Sequence, residues 1–77
     1  MNTLTYLTLR GHYIENVMKR EKEQGPEHAF EWLKQELKQA LILDSESEET
    51  SWWIDRVANY KVWMGFSPAQ RASHSSY

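Results

Sequence analysis

Residues 26–43, PEHAFEWLKQELKQALIL, decide the fold. Phe30, Leu33, Leu37, Ala40 and Leu41 recur at the i, i+3, i+4, i+7 spacing that gathers side chains on one stripe of a 3.6-residue helix. Pro26 suits the first helical position, where its missing N–H would be unbonded in any case, and Glu27 complements the positive helix start. Gly25 can end whatever precedes it. Such an amphipathic helix is a core element, so the flanking sequence must supply the surfaces that cover its stripe.

Upstream, residues 3–24 admit two readings. In the first, Thr3 caps a helix whose inner face is Leu7, Ile14, Val17 and Met18, with Gly11 allowing a neighbour to approach closely. In the second, 3–9 (TLTYLTL) is a short strand, since Thr and Tyr favour extended chain and Arg10-Gly11 can turn. Both make 12–24 helical and end it at Gln24-Gly25, so the first two helices meet in a tight hairpin or at a sharp angle.

Downstream, 44–50 (DSESEET) has no apolar residue and is expected to be a solvated connector. Thr50 or Ser51 can cap a third helix over 52–64, where Trp53, Val57, Tyr60 and Met64 form a stripe with Ile54 beside it. Gly65 sits where a left-handed residue is wanted, Phe66 can fold back onto Tyr60, and Pro68 prevents continuation. The remainder, SPAQRASHSSY, is too poor in apolar residues to order itself. The expected architecture is all-α, a small three-helix bundle with a helical hairpin; residues 1–66 form a single helical domain and 67–77 a flexible C-terminal tail. An α+β fold is the alternative if residues 3–9 form a strand. The expected core is Leu7, Ile14, Val17, Met18, Phe30, Leu33, Leu37, Leu41, Trp53, Val57, Tyr60 and Met64.

A chain of 77 residues has room for one domain with a small core, which a partner often helps to stabilise. Without cysteine it has no disulfide framework, thiolate zinc site or cysteine nucleophile, and a reducing, cytoplasmic setting is the expectation. No apolar run approaches the roughly 20 residues that span a bilayer, and the start lacks the basic and apolar segments of a secretory signal. The net charge of −2 suits neither a polyanion-binding domain nor a strongly acidic mimic. Residues 44–50 carry four of the eleven acids and no base.

The unusual feature is the four indoles, Trp32, Trp52, Trp53 and Trp63. At about 100° per residue, Trp53 joins the core stripe of the third helix, while Trp52, Arg56, Asn59 and Trp63 fall together on a neighbouring flank. Trp and Arg dominate the energetic centres of protein interfaces, so this flank is the candidate partner-binding surface, joined by Trp32 if that indole is exposed. The bland reading packs the flank on the first helix, with Arg56 reaching past the rings to water. Homodimerisation through the flank shares the same physics.

His12, His28 and His74 suggest no metal, because His12 with Glu15 and His28 with Glu31 lie on different helices and match no ligand-spacing motif. Glu27, Glu31, Glu46, Glu48 and Glu49 occupy solvated positions without an apolar pocket to shift them toward acid–base work. No phosphate-binding glycine loop or nucleophile grouping is present, so neither a catalytic residue nor a cofactor is expected. Arg56 and Lys61 beside Trp52 and Trp63 could stack and clamp a single strand, but two bases give only weak, salt-sensitive binding.

Residues 25–37, GPEHAFEWLKQEL, resemble a segment of the theta subunit of bacterial DNA polymerase III, where Pro-Glu-His opens a helix with Trp and Leu at the offsets of Trp32 and Leu37. The resemblance covers about a dozen residues and does not extend to 1–20 or 52–66. It implies a polymerase accessory subunit bound to the proofreading exonuclease. The expected function is a small non-catalytic binding module, an adaptor or inhibitor of a larger host protein of the kind common in phages and mobile elements, or one that pairs with a second copy of itself. The alternative is a weak single-stranded nucleic-acid-binding module or a theta-like accessory subunit.

Overall fold

A computed structural model describes residues 2–76. Four helices follow one another: α1 (Thr3–Gln24), α2 (Pro26–Leu43), α3 (Glu48–Met64) and the short α4 (Pro68–Ser73). Among the described residues there is no strand, and 3–9 belong to α1, so the fold is all-α and the α+β alternative falls.

Each helix end has a local cause. Asn2, one residue before the expected Thr3, caps α1 by accepting from the Thr5 N–H at 2.8 Å. Gly25 alone separates α1 from α2. Its φ of 92° lies in the region that favours glycine, its N–H donates to the Arg20 and Glu21 carbonyls, and its carbonyl receives the Ala29 N–H.

The connector after α2 is shorter than its composition suggests, because α3 begins at Glu48. Ser47, rather than Thr50 or Ser51, is the cap, accepting from the Thr50 N–H at 3.1 Å, while Glu48 and Glu49 complement the helix start. Thr50 is buried instead. Its hydroxyl lies 2.6 Å from the Asp44 carbonyl and 3.1 Å from that of Ala40, so one side chain closes the α2–α3 turn. Asp44 adds a bond from the Glu46 N–H to its own carboxylate.

α2 is the central element, packing on α1 and on α3. Leu9, Tyr13 and Val17 of α1, Ala29 and Leu33 of α2, and Trp53 and Tyr60 of α3 are buried, with Ile14, Phe30, Leu37, Val57 and Met64 packed around them. Val17, Leu33, Trp53 and Tyr60 are therefore core as expected, whereas Leu7, Met18 and Leu41 are exposed. The error on α1 is one of phase. Tyr13 is buried with its hydroxyl donating to the Ser76 carbonyl at 2.8 Å, so a ring with a satisfied polar tip sets the stripe at 9, 13 and 17 and turns Leu7 and Met18 outward. Gly11 meets only open space and serves no close approach.

The stretch expected to fray also carries order. Gly65 is right-handed, with φ −76°, and the chain turns into α4, which has Pro68 in its first turn and a reciprocal cap between Ser67 and Gln70. Phe66 packs on His74 rather than folding onto Tyr60. Arg71 donates to the Met64 carbonyl and lies over the Trp63 ring. Tyr77, the end of the expected tail, and Met1 lie outside the described residues.

Candidate functional site

The indole flank of α3 is divided among intramolecular contacts. Trp52 is half-buried, edge-on to Tyr13 of α1 at 5.6 Å, with the Arg56 guanidinium 5.5 Å over its ring. Trp63 is also half-buried: its ring lies 5.3 Å from Tyr60 and its indole N–H donates to the His74 carbonyl at 2.9 Å. Asn59 on the same helix is exposed. On α2, Trp32 is half-buried between His12 of α1, at 5.5 Å, and Trp53 of α3, at 6.1 Å, with Arg20 over its ring. Trp52 and Arg56 are thus brought together, Trp63 lies under the C-terminal segment, and Trp32 is linked to Trp52 through Trp53.

The phenols beneath this flank are held neutral. Burial pushes the Tyr13 hydroxyl up to about 12, against the lowering effect of Arg56 and with a smaller push up from Glu21. Tyr60 is raised further by burial and by donating to Glu21. Both hydroxyls serve as structural donors.

The large apolar side chains that reach solvent cluster elsewhere. Because α1 and α2 form a hairpin, the first turns of α1 lie beside the last turn of α2, and there Leu4 is 75% exposed, Ile42 76% and Leu43 86%. A cleft of about 440 Å³ runs along Leu4, Thr8, Leu9 and His12 to Glu49 of α3. It continues into one of about 210 Å³ bounded by Glu36, Gln39 and Leu43 and floored by Leu9 and Trp53. On the other side of α1 a further cleft is lined by Tyr6, Trp52, Glu48 and Asp55. His12 Nε2 stands 3.6 Å from the Glu36 carboxylate across the α1–α2 seam. Sequence reasoning passed over this end, although Leu41-Ile42-Leu43 are three consecutive apolar residues that no single helical stripe can hold.

Among the described residues no three His, Asp or Glu side chains converge to hold a metal ion, and no helix is long and apolar enough to cross a membrane. No protein-family model matches the chain, and no curated protein or solved structure matches it. The likeness to theta subunits stays confined to residues 25–37.

Proposed function

We propose that this chain is a small non-catalytic protein-binding module, an adaptor or inhibitor of a larger protein. It docks through the end where α1 begins and α2 stops. The observation that carries the reading is the exposure of Leu4 and Leu43 on open clefts, with Ile42 exposed next to Leu43, since apolar side chains at a concavity are what partner proteins cover. Trp52, lining the adjoining cleft beside Glu48, extends that surface toward the indole flank and Arg56. The proposed setting is the cytoplasm, in keeping with a cysteine-free composition.

Affinity capture from host lysate with the wild-type chain and with a Leu4→Asp/Leu43→Asp variant tests this. Both side chains are exposed, so the variant should melt like wild type. A protein retained by the wild type and lost by the variant supports the reading. Equal retention by both, or none by either, removes it.

A further inference from the structure

We infer that the cleft between α1, the end of α2 and the start of α3 takes a short cationic amphipathic helix of the partner, presenting two bulky apolar side chains at i and i+4 with lysine or arginine beside them. This rests on the protein-binding reading and adds the chemistry of the segment bound. The floor is apolar, built from Leu9 and Trp53, and Leu4 and Leu43 form exposed lips. Carboxylates set the charge of the rim, and His12, which also lines the cleft, lies 3.6 Å from one of them, Glu36. Glu36 and Glu49 border the cleft, Asp44 lies on its continuation past Leu43, and among the described residues no lysine or arginine lines it.

Length narrows the occupant. From Leu4 to His12 the α1 wall rises about 12 Å at 1.5 Å per residue, roughly two helical turns, which leaves room for an i, i+4 pair spanning about 6 Å with a basic residue on either side. Laying the apolar face of a helix into such a groove is an established mode of recognition. A second copy of this chain is the weaker fit, because two acidic rims brought face to face repel.

The probe is a fluorescein-labelled helical peptide of about 15 residues with leucines at i and i+4 and lysines around them. A second peptide replaces each lysine by glutamate, and a third keeps the lysines but replaces the leucines by alanine. Anisotropy titrations use the full chain, Glu49→Lys and Leu43→Asp, with thermal melts to establish that both variants fold. The Lys–Leu peptide is expected to bind wild type, to weaken as salt rises, and to bind either variant roughly tenfold less tightly. The other two peptides should bind poorly.

Equal binding of the Glu–Leu peptide, or unchanged affinity in both variants, overturns the proposal. So does sedimentation showing a wild-type dimer that Leu43→Asp dissociates, since a second copy then occupies the cleft. A partner captured by wild type and lost by Leu4→Asp/Leu43→Asp, while the Lys–Leu peptide fails to bind, leaves the protein-binding reading standing and overturns the cationic occupant alone.

Discussion

The Tyr60 hydroxyl donates to the Glu21 carboxylate at 2.6 Å, which ties the C-terminal part of α3 to the last turn of α1. A hydrogen bond to a charged acceptor exceeds an ordinary one in strength. Tyr60→Phe is therefore expected to lower stability by about 1.5–3 kcal/mol. Glu21→Gln should cost less, because its amide oxygen can still accept. Urea unfolding of both variants checks the order, and a neutral Tyr60→Phe would mean that the bond adds nothing.

The same phenols set the alkaline limit. Tyr13 and Tyr60 have folded pKa values raised above the ordinary 10.0 by burial first, so their neutral forms favour the folded state. Their contribution is fully present below pH 10 and is lost as pH climbs through the folded values, with Tyr13 reaching about 12. Melting temperature followed through the alkaline range should fall above about pH 10, and Tyr13→Phe should flatten that fall. An equal decline in the variant would assign it to other groups.

Thr50 is fully buried, and its hydroxyl is shared between the Asp44 and Ala40 carbonyls and the Ser47 hydroxyl. Thr50→Val keeps the shape and removes every one of those contacts. The expected cost is about 1–3 kcal/mol, read from chemical denaturation. Thr50→Ser, which keeps the hydroxyl and loses a methyl group, should retain the turn bonds and differ mainly in packing.

Legibility in the sequence followed the strength of the local signal. Pro26 and Gly25 marked the hairpin because the one fixes φ and the other alone reaches positive φ without strain, and Leu33, Trp53 and Tyr60 lay on dense apolar stripes. The α1 stripe was misplaced because it rests on Tyr13, an amphipathic ring that packs on Trp52 and Trp53 and whose hydroxyl is satisfied by Ser76, far away in sequence. Ser47 and the Ser67–Gln70 pair were readable cap patterns obscured by the polar composition around them. The acid-rimmed cleft could not be read, since it joins Leu4, Leu43 and Glu49 through the hairpin.

Trp63→Ala separates fold from interface on the indole flank. The ring packs on Tyr60 and its N–H holds the His74 carbonyl, so the variant is expected to lose about 2–4 kcal/mol of stability. Partner capture measured well below the variant's melting temperature then reports on binding alone. Undiminished capture removes Trp63 from the contact surface.

Gly11→Ala should stabilise the chain. Gly11 lies inside α1 with nothing within 4 Å of the position its Cβ would take, so alanine brings better helix propensity without a clash. A gain of about 0.5–1 kcal/mol is expected, and thermal unfolding measures it.

The single-residue link at Gly25 has a kinetic consequence. With almost no loop to close, α1 and α2 can zip together at little entropic cost, and α3 then adds to α2 across the short Asp44–Ser47 turn. Helical chains assembled mainly from such sequence-adjacent pairings fold within microseconds to milliseconds. A newly made copy would therefore reach its folded shape almost as soon as the last turn of α3 is available to pack on α2.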